Sequence, residues 1–269
     1  MKLLYAKSMW GAEKMPLRAF LSRVKDSGFD ATDVNPSILD ITPQESTALH
    51  KEFGLKCVCY IGLSGATVSE QLADLDKWFP VALAYQPLHI NFHAGRDIFS
   101  FEDNLVIFRR IYELGQKHHI DVTHETHRAR PLFSTFEAVK YIQSMPELWL
   151  NADFSHWMVV HESNLRDQPE AMELAIQHSR YIHARVGYEE GPQITDPRAP
   201  EWKDHVDNHI DLWQRIVTAN RKAKRGHLVI TPEFGPPPYL HTLPYTRQPV
   251  ADLWEICTAM MQILKERLK

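Results

Sequence analysis

Short apolar runs alternate with longer amphipathic segments along the chain, and the pair repeats eight times in 269 residues. Several of the short runs are rich in Val, Ile and aromatic residues, as buried parallel strands are. The predicted strands are residues 3–7, 31–34, 56–61, 89–93, 120–125, 149–153, 181–184 and 228–233. The predicted helices are residues 17–25, a segment opening at 42–45, and residues 69–84, 101–117, 135–144, 169–178, 202–224 and 250–268. Eight such units match the size of a TIM barrel, so we expect an α/β fold, a single (β/α)8 barrel over residues 1–269.

A doubly wound nucleotide-binding sheet is the architectural alternative. Its G-x-G-x-x-G fingerprint is absent after the first predicted strand, and no G-x-x-x-x-G-K-[ST] loop occurs. The chain has only 11 Gly residues, so loops that cradle phosphate are scarce. These absences favour the barrel.

The sequence also predicts where one helix begins. Thr42, Pro43 and Glu45 have the arrangement of a capping box, with Thr42 as the N-cap residue.

Composition and charge narrow the function classes. The chain has 30 Lys and Arg against 34 Asp and Glu, a net charge of −4, and so lacks the basic footprint of a general nucleic-acid binder. No apolar run is long enough to cross a bilayer, and the N-terminal stretch lacks the pattern of a secretory signal. The three cysteines leave at least one thiol unpaired within the chain. We therefore expect a cytoplasmic protein with no nucleic-acid or membrane partner.

Charged residues end four consecutive predicted strands. In a TIM barrel, functional side chains lie at the carboxyl ends of the strands, so the residues at these ends are the candidates for a site. The fifth to eighth strands finish on Glu125, Asp153, His183 and Glu233. Each has an ordinary structural explanation taken singly, such as a helix N-cap for Asp153. Four such residues at equivalent positions in successive units are better explained by a shared site.

Three carboxylates in one dry pocket repel one another unless a cation is present. Carboxylates with a single imidazole suit Mn²⁺, Mg²⁺, Fe²⁺ or Zn²⁺ and leave positions open for substrate oxygens. The sequence therefore predicts one divalent metal ion held by this quartet.

The motifs around the quartet carry a family resemblance. E-T-H-R, N-A-D-F-S-H, I-H-A-R and T-P-E-F-G resemble the xylose isomerase-like TIM-barrel superfamily, which includes sugar isomerases, epimerases and endonuclease IV. The resemblance covers essentially the whole chain. G-F-D-A-T-D-V also resembles the G-[FY]-D-x-x-E pattern of its second strand, with Asp33 in place of Glu. The D-x-x-H pair formed by Asp153 and His156 is the most specific signal.

The resemblance implies roles for individual residues. The quartet would bind one divalent ion, with Mn²⁺ first and Mg²⁺, Zn²⁺, Fe²⁺ or Co²⁺ as alternatives. His156 and Arg185 would contact the substrate, and His127 and Arg128 stand where ketose epimerases have an Asn-Arg pair. Those epimerases carry a further Glu at the position of Pro131, so this chain departs from them. Barrels of this family often pair, so we also expect a possible homodimer.

The quartet predicts proton transfer next to a carbonyl group. A metal ion that chelates a carbonyl and its neighbouring hydroxyl acts as a Lewis acid. Glu125 and Glu233 would flank the bound sugar, one removing a proton to give a metal-stabilised enediolate and the other returning it. The expected activity is that of a metal-dependent sugar isomerase or epimerase, with a small-molecule sugar or sugar derivative as the partner.

Two other reactions fit the same residues. A keto-sugar dehydratase or lyase would use the same metal site and lose a β-hydroxyl instead. An endonuclease IV-like phosphodiesterase would need three zinc ions; Asp207 and His209 imitate its D-x-H pair, but the third strand offers no His. The net charge also disfavours DNA.

Further residues are candidates for the wall of the pocket. His93 ends the fourth predicted strand, and aromatic side chains can pack on the C–H faces of a sugar. We predict that His93 and Trp10 contact the substrate together with His127 and Arg128. Trp157 and Tyr188 are further aromatic candidates.

Overall fold

Eight parallel strands close into one barrel in the computed structural model, which describes residues 1–269. Each strand pairs with the next along the chain, and the last pairs back with the first through Leu3 opposite Leu228. The strands are β1 (Lys2–Ser8), β2 (Ala31–Val34), β3 (Lys56–Gly62), β4 (His89–His93), β5 (Asp121–Glu125), β6 (Leu150–Ala152), β7 (Ser179–His183) and β8 (His227–Thr231). The predicted TIM barrel is confirmed.

Helices surround the barrel in the order that the alternation predicts. They are α1 (Leu17–Asp26), α2 (Pro43–Phe53), α3 (Val68–Ala84), α4 (Phe101–His118), α5 (Thr135–Ser144), α6 (Ser155–His161), α7 (Pro169–His178), α8 (Lys203–Lys222) and α9 (Leu253–Arg267). The short helix α6 was not predicted. None of the nine helices combines the length and the apolar character that a bilayer span needs.

Three strands end earlier than predicted: β7 stops at His183, one residue early, and the other two differences shape the barrel mouth. β6 stops at Ala152, so Asp153 belongs to the turn into α6. β8 stops at Thr231, so Glu233 lies two residues beyond the sheet. Apolar periodicity cannot place these boundaries, because the residues that leave the sheet remain as buried as those within it.

The core has two parts, separated by the wall of the barrel. The larger cluster packs the outer face of the strands against the helices. The smaller cluster lies inside the barrel and consists of Leu4, Ala6, Ala31, Val58, Tyr181 and Val229. Successive strand residues point to opposite faces, so each strand supplies both layers. The interior cluster forms an apolar floor, and the Tyr181 hydroxyl at its upper edge donates to Asp33 at 2.7 Å.

The predicted capping box at the start of α2 is confirmed. The Thr42 hydroxyl accepts from the Glu45 backbone N–H at 3.2 Å, and the Glu45 carboxylate accepts from the Thr42 backbone N–H at 3.1 Å. Each contact satisfies a backbone donor that helix geometry leaves unpaired.

We expect Thr42→Ala to lower the free energy of unfolding by about 1 kcal/mol, because an N-cap side chain is lost. The matched control is Thr47→Ala in the same helix, where the hydroxyl only donates back to the Pro43 carbonyl oxygen. Urea midpoints of the two variants give the comparison, and equal shifts would contradict the assigned role of the cap.

Candidate metal centre

The four residues of the predicted quartet meet at the carboxyl end of the barrel. Their ligand atoms all lie within 4.8 Å of one another, and all four side chains are buried. Glu125 and His183 are the last residues of β5 and β7, whereas Asp153 and Glu233 lie just past β6 and β8. Parallel strands that close a barrel bring their carboxyl ends to one rim, which places residues distant in sequence around one point.

His183 lies between two of the carboxylates. Its Nδ1 atom is 3.2 Å from Glu125 Oε2 and 3.2 Å from Glu233 Oε2. Neither contact has the direction of a hydrogen bond, so this buried nitrogen has no hydrogen-bond partner. On the other side of the ring, Nε2 donates to Asp33 Oδ2 at 3.3 Å. A proton held on Nε2 leaves Nδ1 with a lone pair that faces the carboxylates, the arrangement of a metal-binding histidine.

These distances and charges fit a divalent cation. Ligands about 2.1 Å from an ion and at right angles to each other lie about 3 Å apart, close to the spacing around His183 Nδ1. Arg185 offsets one of the three carboxylate charges of the quartet, and a divalent ion would offset the other two. Oxygen ligands with a single imidazole are the donor set of Mn²⁺, Mg²⁺ or Zn²⁺.

Arg185, predicted to contact the substrate, also pairs with a carboxylate of this centre. Its guanidinium is fully buried, pairs with Asp153 through Nη2 and lies 3.6 Å from Glu233 Oε2. Its Nε atom donates to Ser155 Oγ at 3.1 Å. Nη1 is buried without a partner, although the residue lines the cavity described below. Arg185 therefore has a structural role at Asp153 and still offers one donor group to a ligand.

Buried charges displace the acid–base equilibria of the centre. Burial would raise the pKa of Glu125, but His93 and His183 hold it well below its usual range. Burial raises the pKa of Asp153 to about 6, although Arg185 opposes the shift. Burial would lower the pKa of His183, yet Glu233 and Glu125 raise it well above its usual range. The strong negative potential of the centre thus attracts a cation, either a proton or a metal ion.

A cavity of about 270 Å³ opens above the quartet. Three predicted wall residues line it, namely Trp10, His93 and His127. The ring of Trp10 meets the ring of Tyr239 edge to face with centroids 5.2 Å apart, and both rings flank the Arg185 guanidinium. One wall of the cavity is therefore aromatic, whereas the floor is charged.

Other candidates lie outside the cavity lining. His156 is buried behind Arg185, whose Nη2 donates to His156 Nε2 at 2.6 Å. Arg128 stands behind the aromatic wall and donates to the Tyr239 hydroxyl at 3.4 Å. Trp157 is a core residue, and Tyr188 packs on Trp202 away from the cavity.

Sequence reasoning missed the residues that orient Glu125. The side-chain amides of Asn91 and Asn151 donate to Glu125 Oε2 at 3.1 and 3.2 Å. No donor of the protein contacts Oε1, so this oxygen remains available on the cavity side. Tyr60 and Tyr239 also line the cavity and were not predicted to do so. No motif marks these residues. Tyr60, Asn91 and Asn151 point into the barrel from β3, β4 and β6, whereas Tyr239 comes from the segment between β8 and α9.

The residues that imitate an endonuclease IV motif do not converge. The Asp207 carboxylate pairs with Lys203 and Arg267 at the surface. His209 is buried, donates from Nδ1 to the His205 carbonyl oxygen and accepts from the Gly187 N–H at Nε2. Both ring nitrogens of His209 are thus occupied within the protein.

Comparisons with solved structures identify the class of fold. No protein-family model matches the chain, and no curated protein sequence matches it. A xylose isomerase domain containing protein from Salmonella typhimurium LT2 matches with a TM-score of 0.67 and 14% identity over 97% of each chain. The chain therefore has the xylose isomerase-like TIM-barrel fold.

Two further structural neighbours carry more specific descriptions. The probable 3-DHS dehydratase AsbF from Bacillus anthracis has a TM-score of 0.64 and 15% identity, over 99% of this chain and 100% of that one. D-psicose 3-epimerase from Clostridium cellulolyticum H10 has a TM-score of 0.64 and 13% identity over 99% of each chain. At these identities the likeness shows the fold alone.

We expect Asp33→Asn to weaken Mn²⁺ or Zn²⁺ binding by about 10–100-fold, because the carboxylate that orients His183 is lost. Competition with a chromophoric chelator measures the affinity. Asp30→Asn is the matched control, since Asp30 lies before β2 and accepts from the Tyr5 N–H at the far end of the barrel. Equal affinities for the Asp33→Asn variant and the wild type would contradict this role.

Proposed function

We propose that the protein is a divalent-metal-dependent isomerase or epimerase that acts on a small sugar or sugar derivative. The observation that carries this proposal is the convergence of Glu125 and Glu233 on His183 Nδ1, each 3.2 Å away, beneath a cavity. Ligand cavities start at about 300 Å³, so a volume of about 270 Å³ favours a small substrate. The shared fold with an epimerase is consistent with this reaction class.

The metal ion would be held by Glu125, Asp153, His183 and Glu233. When bound, it would supply Lewis-acid stabilisation of the negative charge that develops on a substrate carbonyl oxygen. Everything else in the reaction must come from the side chains of the cavity.

The two glutamates supply the proton transfer. Asn91 and Asn151 fix one oxygen of Glu125 and leave Oε1 to accept a proton from the carbon beside the carbonyl. Burial would raise the pKa of Glu233, but His183 and Arg185 lower it, so this group is also ionised near neutral pH. Return of this proton by Glu125 to the adjacent carbon gives an isomer. An epimer requires that Glu233 first takes up a proton from solvent and then delivers it to the same carbon from the opposite face.

The cavity wall would hold the sugar and exclude water. Trp10 and Tyr239 present aromatic surfaces suited to the C–H faces of a sugar. The unpartnered Nη1 of Arg185 is a donor for a substrate oxygen. His127 carries its proton on Nδ1, which faces the Arg128 carbonyl oxygen, so Nε2 can accept from a substrate hydroxyl.

Dehydration is the second candidate reaction. It begins with the same proton abstraction and differs only in the loss of a β-hydroxyl. Pro131 stands where ketose 3-epimerases are expected to carry another Glu, which favours a departure from their chemistry. The shared fold with a probable dehydratase is consistent with this alternative.

A heavy-water experiment tests the proposal and separates the two reactions. The Mn²⁺-loaded protein is incubated in D₂O with a panel of ketoses and keto-sugar derivatives, and the products are followed by NMR and mass spectrometry. Deuterium at the carbon beside the carbonyl of an isomer or epimer supports the proposed activity. A product lighter by one water identifies a dehydratase. Absence of both exchange and product across the panel contradicts the proposal.

We expect Glu233→Gln to lower turnover by about 10²–10⁴-fold, because a proton-transferring group is removed. The fold should persist, since the amide conserves the shape of the side chain, and urea unfolding checks this. Glu189→Gln is the control, because Glu189 pairs with His205 outside the cavity and should retain wild-type turnover. Full activity of the Glu233→Gln variant would refute the assignment.

A further inference from the structure

A second concave surface lies at the amino end of the barrel, opposite the candidate metal centre. It encloses about 340 Å³, within the range of about 300–1,000 Å³ that is typical of small-molecule sites. Three lysines line it, namely Lys2, Lys25 and Lys56. We propose that this amino-end pocket binds the phosphate group of a small molecule. The inference goes beyond the proposed function and does not depend on it.

Strand pairing brings two of the lysines to one rim. Lys2 is the first residue of β1 and pairs in register with His227, the first residue of β8. Lys56 is the first residue of β3, and its backbone N–H donates at 3.0 Å to the carbonyl oxygen of Asp30, which lies just before β2. These four residues form a continuous arc across β8, β1, β2 and β3, and all of them line the pocket.

The third lysine reaches this arc from a surrounding helix. Lys25 lies in the last turn of α1, and its side chain extends towards Gly54, in the turn that precedes Lys56. A Cβ atom at Gly54 would lie 3.8 Å from Lys25 Nζ. The Lys25 ammonium group is therefore held at the edge of the pocket, next to the start of β3.

None of the three lysines has an ion-pair partner within the protein, and all three are exposed. A lysine in the last turn of a helix is commonly explained by the helix dipole, and this explanation is sufficient for Lys25. It does not apply to Lys2 and Lys56, because strands carry only small net dipoles. The pocket therefore holds more positive charge than the local backbone requires.

The charge and the donors of the pocket suit a phosphate group. Three ammonium groups stand against the single carboxylate of Asp30, although the whole chain carries a net charge of −4. This carboxylate is fixed in place, because it accepts from the Tyr5 backbone N–H at 3.0 Å. Burial and the neighbouring Arg225 lower the pKa of His227, so its ring is neutral and can donate one hydrogen bond. Ammonium groups bind phosphate as compact point charges, so the lysines are its expected partners.

The apolar part of the pocket favours a phosphate ester over inorganic phosphate. Leu4, Phe29 and Leu88 supply this surface, and Leu4 belongs to the cluster inside the barrel. A short carbon skeleton can cover these side chains while its phosphate group meets the lysines. The limited volume also suits one small molecule better than the extended backbone of a nucleic acid.

Isothermal titration calorimetry of the full chain tests the pocket, with inorganic phosphate and glycerol 3-phosphate as probes at constant ionic strength. Glycerol 3-phosphate has no carbonyl group, so it is not a substrate of the proposed reaction. We expect saturable binding of both probes, tighter for the ester. Equal affinities would support the phosphate site and contradict the role of the apolar surface. Absence of saturable binding of either probe would refute the proposal.

Lysine variants locate the bound anion. Lys56→Gln should weaken phosphate binding by about fivefold, the effect of one partly exposed charge pair, and the double variant with Lys25→Gln by about 20-fold. Lys117→Gln is the matched control, because Lys117 is an exposed, unpaired lysine in the last turn of α4, at the same end of the barrel but outside the pocket. An equal loss of affinity in this control would show only a general attraction to positive charge and would overturn the pocket.

A substitution of Asp30 should have the opposite effect. Asp30→Asn removes the negative charge beside the lysines, and its amide oxygen can still accept from the Tyr5 N–H. Binding of inorganic phosphate should therefore strengthen by about fivefold. Lysines with a purely structural role would not produce this gain, so unchanged or weaker binding would contradict the proposal.

Asp153→Asn separates the pocket from the metal centre, where phosphate can also bind through a metal ion. Phosphate affinity should be unchanged in this variant. An affinity that is lost in Asp153→Asn but retained in the lysine variants would refute the pocket and leave the proposed function standing. Acetylation with acetic anhydride, followed by mass spectrometry, is an independent readout. Phosphate should protect the three pocket lysines but not Lys117, and equal protection of Lys117 would overturn the assignment.

Discussion

Mutual repulsion among three buried carboxylates is the constraint around which the mouth of this barrel is organised. Glu125, Asp153 and Glu233 converge where little solvent reaches them, and such charges are costly unless they are paired. Two cationic or polar side chains offset this repulsion. The Arg185 guanidinium pairs with Asp153, and His183 contacts both glutamates. The negative charge that remains is what a divalent cation would neutralise.

This electrostatic requirement extends into the interior of the barrel. The Asp33 carboxylate accepts from His183 on one side and from Tyr181 on the other, which links the charged centre to the apolar floor. Asn91 and Asn151 hold Glu125 from β4 and β6. The polar groups near the centre thus draw their positions from several different strands. The closed barrel is the framework that keeps these strands in register.

The amino-acid sequence predicts much of the fold. The eightfold alternation predicted the barrel, and all eight strands and seven of the nine helices overlap their predicted ranges closely; α2 begins at the predicted capping box. Only α6 escaped prediction, because its seven residues are too few to show a helical period and no capping side chain marks its start. The strand ends also predicted which four residues would converge, since the chemistry of a barrel lies at those ends. Their roles as ligands and catalysts remain proposals.

The pattern along the chain was sufficient for the barrel and for the convergence of the quartet, because strand period and strand order are local properties of the sequence. The tertiary structure alone decided how Arg185 pairs with Asp153, how two asparagines orient Glu125, and that Tyr60 and His127 meet around His93. These contacts depend on the relative register of the strands and on loop paths across the barrel mouth, such as the one that brings Tyr239 against Trp10. These contacts join residues that are far apart in sequence, so the spacing of residues along the chain does not determine their geometry.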